Sequence, residues 1–195
     1  MTKINNTLER SNTITQGDRP PVEGHLSGYA ALYNTEYRYQ LRDKHGEILD
    51  VIEVILPGAF TQELIDRSDV RATVNHDPNI VLARSNRGKG TLSLTADAAG
   101  LYFDMVPPQS RGAYVESVQR GDIDQCSYRY EVDEDVVTLV CDVTSRVEVK
   151  SYKKLEDITL ATYPAYERTS VGYEERKIQD RTMESRNQFL QEDPN

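Results

Sequence analysis

The sequence predicts a mainly β protein with a few helices, folded as a mostly antiparallel barrel or sandwich. Three observations lead there. Short runs with period-two alternation recur from residue 26 to residue 163. Only two stretches inside that span, 59–67 and 110–120, carry helical spacing. Strands and helices do not alternate as βαβ units, which argues against a doubly wound parallel sheet.

Taken in order, residues 1–22 are polar and end in Arg19-Pro20-Pro21, and are expected to form an extended or disordered arm. Leu26 to Tyr33 reads as a first strand, and residues 37–56 hold two more around the turn-prone Lys44-His45-Gly46. Pro57-Gly58 then punctuates, and Ala59 to Arg67 is predicted as a short helix burying Phe60, Leu64 and Ile65. Val70 to His76 alternates as a half-buried strand, Asp77-Pro78 signals a turn, and Ile80 to Arg84 resumes the strand. Thr91 to Thr95 and Leu101 to Val106 read as a hairpin around Ala99-Gly100. Ser110 to Arg120 is expected as a second helix, capped by Ser110, with Ala113, Tyr114 and Val118 on its apolar face and Gly121 ending it. Strand-like runs follow at 123–132, 136–149 and 155–163, with the acidic Glu131 to Asp135 read as a solvated hairpin tip. Residues 23–173 are thus expected as one domain, and 174–195 as a charged helix and frayed tail.

Composition narrows the function classes. A chain of 195 residues can bury one core, and 37% hydrophobic with 28% charged residues suits a globular domain. A net charge of −9 with no basic stripe repels a phosphate backbone, so no direct nucleic-acid partner is expected. No run approaches the ~20 apolar residues that span a bilayer, and no secretory leader is visible, so no membrane partner is expected either. The two cysteines, Cys126 and Cys141, match no zinc spacing, and three histidines give little for a metal site; no metal or cofactor is predicted.

Three side chains stand out as candidates for chemistry. His76 lies at a strand end before a turn, where a rigid sheet can present a catalytic group. Ser127 lies on a strand beside Cys126, and alternation sends the two to opposite faces, so only one of them can face a cleft. A serine hydroxyl becomes a nucleophile only beside a base. Asp157 shares a strand face with Thr159 and Ala161, while Glu156 shares the other with Ile158 and Leu160; a carboxylate behind an imidazole would fix its tautomer. Singly, each residue also has an ordinary reading as a turn histidine, a strand serine or a solvated acid.

Their order and surroundings add to the argument. Gly28-Tyr29-Ala30-Ala31-Leu32-Tyr33-Asn34, Pro57-Gly58-Ala59-Phe60, Asn75-His76-Asp77, Gly100-Leu101-Tyr102-Phe103, Gly121-Asp122-Ile123 leading to Ser127-Tyr128, and Asp157-Ile158-Thr159 with Pro164-Ala165-Tyr166, Thr169 and Val171 follow one another along the chain. In that order they resemble the blocks of the prohead serine proteases of tailed phages, a family similar in fold to the herpesvirus assembly proteases. The resemblance spans about residues 24–171.

The resemblance implies a herpesvirus-protease-like, largely antiparallel β-barrel flanked by helices. It implies a serine endopeptidase with Ser127 as nucleophile, His76 as base and Asp157 as third member. The family acid is commonly glutamate, which leaves Glu156 as the alternative to Asp157. Arg129, on Ser127's face, would line the substrate groove or pair with nearby acids. Arg168 is the candidate oxyanion contributor by analogy with the herpesvirus enzymes. The implied partners are the major capsid protein precursor and the scaffold protein, with self-cleavage and a homo-oligomer left open. The implied setting is the procapsid interior, in the cytoplasm of an infected bacterium. Two rivals stand beside this reading: an inactive capsid-assembly module of the same fold, and a thiol protease using Cys126.

Overall fold

The computed structural model describes residues 8–13, 22–42, 48–141 and 143–162. Among them the chain is mainly β, with eleven strands and two α-helices. The strands are β1 (Leu8–Thr13), β2 (Leu26–Leu32), β3 (Glu36–Arg42), β4 (Ile48–Ile55), β5 (Asp69–Val74), β6 (Asp77–Asn86), β7 (Lys89–Gly90), β8 (Leu92–Ala96), β9 (Gly100–Met105), β10 (Gln125–Cys141) and β11 (Thr144–Ala161). The helices are α1 (Gln62–Arg67) and α2 (Gly112–Gln119), the latter preceded by a 3-10 turn at Gln109–Arg111.

Eight strands form one mixed sheet, in which β11 is the spine. Its whole length pairs antiparallel with β10. Its other edge is shared by two parallel neighbours, β4 along Thr144–Val149 and β5 along Asp157–Leu160. Outside these lie β3 on β4, and β6 then β7 on β5, while β1 borders β10. A second sheet, in the order β2-β9-β8, is antiparallel throughout. The pairings among the described residues are largely antiparallel, as expected, apart from the two parallel ladders at β11, and they do not close into a barrel. Residues 8–13, inside the expected arm, form a strand on the outer edge of β10.

The core is one cluster fed by both sheets and α1. It includes Leu26, Ala30, Val51, Ile55, Leu64, Ile65, Leu82, Phe103, Ile158 and Leu160. An aromatic group sits within it: Phe60 stacks on Tyr152 with ring centroids 4.7 Å apart, and Tyr130 stacks on Tyr128 at 5.0 Å. Such pairs add about 0.5–1.5 kcal/mol each beyond the area they bury. They help fix the first part of β10, which carries Ser127, against the core.

Several boundaries differ from the sequence reading. The first helix begins at Gln62, because Thr61 is its N-cap and accepts a bond from Leu64 N at 3.1 Å. Phe60, Leu64 and Ile65 are buried as expected. The second helix has no side-chain cap; Ser110 falls in the 3-10 turn, and the face turned to the core is Tyr114, Val115 and Val118 rather than Ala113. Gly121, at φ +78°, follows its last turn as expected. The largest difference lies at Glu131–Asp135. These residues are no hairpin tip but part of β10, because lysines on β11 neutralise them: Lys153 Nζ donates to Glu131 at 2.6 Å and Lys150 Nζ to Glu134 at 2.9 Å. The reversal therefore falls between Cys141 and Thr144, and the three expected runs become two long strands. The segments 163–173 and 174–195 lie outside the described residues.

Candidate active site

The site is built on three adjacent strands, near the C-terminal ends of β5 and β11 and the start of β10. Register sets its floor. Thr73 on β5 is opposite Thr159 on β11, and Thr159 is opposite Ser127 on β10. Two residues along, Asp157 is opposite Arg129. Partners across a sheet and residues two apart share a face, so Ser127, Arg129, Asp157 and Thr159 form one polar patch.

His76 reaches that patch from a turn. Val74 and Asp77 are paired, so Asn75 and His76 alone make the loop from β5 to β6. Their φ values are +50° and +56°. A two-residue hairpin loop with both residues left-handed is the type I′ arrangement, which follows the natural twist of the strands and favours Asn then Gly. Asn75 suits its position; histidine at the second is uncommon, although it adopts this region more readily than most side chains, and lacks the freedom of the glycine that the turn favours. The turn is therefore Asn75-His76 rather than Asp77-Pro78, and Pro78 sits in the bulge between the Val74 and Val81 pairings, where no ladder bond is lost.

Two residues of β11, and Thr162 just past its end, hold this turn. Asn75 N donates to Leu160 O at 2.9 Å, and His76 N donates to Thr159 Oγ1 at 2.9 Å. Asn75 Oδ1 accepts from both Thr162 N and Thr162 Oγ1, at 3.0 and 3.1 Å. The backbone of the loop is thus fixed directly over the patch.

The imidazole bridges two of the patch residues. Its Nδ1 lies 2.9 and 3.0 Å from the two carboxylate oxygens of Asp157, and its Nε2 lies 3.2 Å from Ser127 Oγ. A carboxylate can only accept, so the ring proton belongs on Nδ1. Nε2 is then left with its lone pair toward the serine hydroxyl, the tautomer a general base needs. The ring and the carboxylate are both largely enclosed, with side-chain exposures of 9% and 12%. Low exposure strengthens the attraction between them. Arg129 adds a cation beside the carboxylate, its Nη1 3.9 Å from Asp157 Oδ2.

Of the residues singled out from sequence, His76, Ser127 and Asp157 are brought together. Glu156 is not: it faces away and accepts from Lys154 Nζ at 2.6 Å. Arg129 lies beside an acid, Asp157, on the face of Ser127. Arg168 lies outside the described residues. Cys126 points into the core on the face opposite Ser127, and burial, with the charge of Asp157 adding to it, pushes its thiol well above the ordinary range. A thiol so disfavoured as thiolate is a poor nucleophile. The sequence reading missed Asn75 and the role of Thr159. Alternation already put Thr159 on the face of Asp157; the missing information was which turn lies above it.

A hydroxyl, an imidazole and a carboxylate in series, on a rigid β framework, form the arrangement by which serine hydrolases activate an alcohol. Residues 12–184 match the family model of the caudovirus prohead serine proteases, and the chain belongs to that family. No curated protein and no solved structure matches it. The chain is accordingly a serine protease of phage capsid maturation, acting in the procapsid among phage capsid and scaffold proteins. No helix among the described residues is long and apolar enough to cross a membrane.

Proposed function

We propose that Ser127 is the nucleophile, His76 the general base and Asp157 the acid that orients it. The observation that carries this reading is the imidazole spanning both partners, with Nε2 3.2 Å from Ser127 Oγ and Nδ1 2.9 Å from Asp157. Ser127 Oγ attacks a peptide carbonyl carbon as His76 Nε2 takes the hydroxyl proton. The tetrahedral adduct expels the amine, which leaves with that proton. Water, deprotonated by the same nitrogen, then releases the acyl group and restores the serine. Asp157 keeps the ring in the required tautomer and stabilises the imidazolium that forms between steps. The oxyanion needs preorganised donors; Arg168 remains the candidate side chain beside backbone N–H groups.

The substrates in this reading are the major capsid protein precursor, the scaffold protein and the chain's own ends. Family membership and the polar composition of 1–22 and 174–195 support it, with residues 23–173 as the protease domain. The enzyme works inside the procapsid, in the host cytoplasm, without nucleic acid or membrane as direct partner and without a cofactor; self-association into a homo-oligomer is compatible with it. The order of the sequence blocks relates the fold to the herpesvirus assembly proteases and their barrel, a relation that superposition on such an enzyme tests.

The functional test is co-expression with the capsid precursor and mass analysis of both proteins. Ser127→Ala abolishes fragments and leaves the protease itself at full length. Asp157→Asn lowers turnover by about 10⁴-fold through the wrong tautomer, whereas Glu156→Gln does not. Processing by Ser127→Ala at the wild-type rate ends the serine assignment, and the reverse ranking of the two acid variants moves the third role to Glu156.

A further inference from the structure

We infer that Thr159 is a positioning residue for the base: its hydroxyl holds the backbone of His76 in the left-handed turn that brings the imidazole between Asp157 and Ser127. The inference rests on the reading of His76 as base and Ser127 as nucleophile.

Thr159 is fully buried at the centre of the site floor. Its Oγ1 accepts from His76 N at 2.9 Å and from Thr73 Oγ1 at 3.0 Å, and lies 3.5 Å from Leu160 O, toward which its own proton is directed. One hydroxyl therefore joins β5, β11 and the catalytic turn. The bond to His76 is the informative one. A non-glycine residue at φ +56° holds an unfavourable conformation that persists only when its surroundings over-determine it. The Asn75 contacts to Leu160 and Thr162 hold the first loop residue; the backbone of the second, which carries the ring, is held by Thr159. Register makes the arrangement self-consistent. Thr159 is the residue directly opposite Ser127, and Asp157 precedes it by two on the same face. The same strand thus supplies the ring's carboxylate partner and its backbone anchor, and lies beside the strand that supplies its hydroxyl partner. Loss of the anchor lets the turn relax toward negative φ and swings the ring off the line joining Asp157 to Ser127. Displacements of about 1 Å in such a constellation cost about 10²-fold in rate.

The test uses the full-length protein and a fluorophosphonate probe, which reads the serine without reference to a protein substrate. Ser127 Oγ forms a bond to phosphorus, fluoride leaves, and His76 takes the hydroxyl proton. Saturation kinetics separate probe binding from bond formation. Thr159→Val keeps the side-chain shape and removes the hydroxyl. The expected result is a bond-forming rate lower by about 10²-fold with probe binding unchanged, and recovery of most of that rate in Thr159→Ser. Thr73→Val, which removes the other bond to the same oxygen and leaves the His76 anchor in place, is expected to retain most of the rate. Thermal unfolding of each variant separates a lost fold from a misplaced ring. Wild-type labelling by Thr159→Val, an equal loss in Thr73→Val, or no rescue by serine each overturns the inference. Labelling of Ser127→Ala at the wild-type rate would instead overturn the underlying assignment of the nucleophile, so the two failures are distinct.

Discussion

Strand β6 begins and ends in the same kind of turn, and the two ends treat it differently. At its far end Asn86 pairs with Lys89, leaving Arg87 and Gly88 as the loop, at φ +54° and +74°. At its near end the loop is Asn75 and His76, at φ +50° and +56°. Both are two-residue left-handed turns. The far one ends in glycine, the residue that adopts positive φ without penalty. The near one has histidine in the equivalent position, and its backbone is tied to Leu160 and Thr159. The far turn is tied too, by Arg87 N donating to Ser68 O at 2.9 Å, and differs in placing glycine where the near turn places histidine. The near turn keeps a conformational cost of about 1–3 kcal/mol at the point where a ring must overhang the next two strands. Strain falls on the residue proposed as the base, and the similar left-handed pair at the other end of the strand, with glycine second, shows that such a turn does not require histidine there.

Breaking the near turn gives the largest effect. His76→Gly suits the backbone and removes the proposed base. Fluorophosphonate labelling and substrate cleavage are expected to fall by about 10⁴-fold or more, since members of a triad act as a unit. Stability is expected to stay within about 1 kcal/mol of wild type, because relief of the left-handed strain offsets the bond lost to Asp157. Denaturant unfolding beside the labelling assay reads both. Retained labelling removes His76 from the chemistry, and a large loss of stability would mean that the ring is there for the fold.

Gly88→Ala is the mirror experiment and has a middling effect of the opposite kind. The new Cβ would sit at φ +74°, 2.8 Å from Asp66 Oδ1, an atom that also accepts from Gln62 Nε2. The side chain of Asp66 is exposed and can swing, so the backbone conformation is the main cost, about 1–2 kcal/mol. Stability falls by that amount and the labelling rate does not change. A catalytic defect in this variant would show that the two ends of β6 are coupled and that the comparison between them is misplaced.

How far the sequence itself revealed the site follows from the same geometry. Alternation within one strand was enough to separate Cys126 from Ser127 and Glu156 from Asp157, because the period of two is a property of the backbone. It also placed Arg129 on Ser127's face. What alternation cannot supply is register between strands, and the floor of the site is a register pattern: Thr73, Thr159 and Ser127 in one row, Asp157 and Arg129 in the next. The turn was misjudged by two residues because Asp77-Pro78 is the stronger local signal, while the left-handed pair that precedes it is stabilised by bonds to residues more than eighty positions away. The acidic run at 131–135 misled for a similar reason. Its charges look like a solvated tip until Lys150 and Lys153 are seen to lie across from them. Local patterns gave the faces and most strand positions; long-range pairings decided the turns.

The smallest effect is expected at the ion pair that ties β5 to β6 near the far turn. Hydrogen bonds from Arg84 are the main reason that the carboxyl of Asp69 is held below its ordinary value of 3.8, with the charge of Arg71 adding to them. Arg84 meets it with two nitrogens, each at 2.7 Å. A carboxyl whose value is lowered by folding contributes stability above its ordinary value and loses it as pH falls through the folded one. The contribution of this pair is therefore complete at neutral pH and disappears only below 3.8. Both side chains are substantially exposed, at 38% and 48%, so water and salt screen the pair heavily. Asp69→Asn is expected to lower the unfolding temperature slightly at neutral pH and low salt, with the difference vanishing in high salt and under acid, and with no change in labelling of Ser127. The carboxylate facing the near turn differs: Asp157, on β11, is enclosed and faces the ring, so under the proposed mechanism its loss is expected in catalysis. If Asp69→Asn slows labelling while Gly88→Ala does not, the hairpin transmits strain along its strands from this pair to His76, and the near turn is not held by β11 alone.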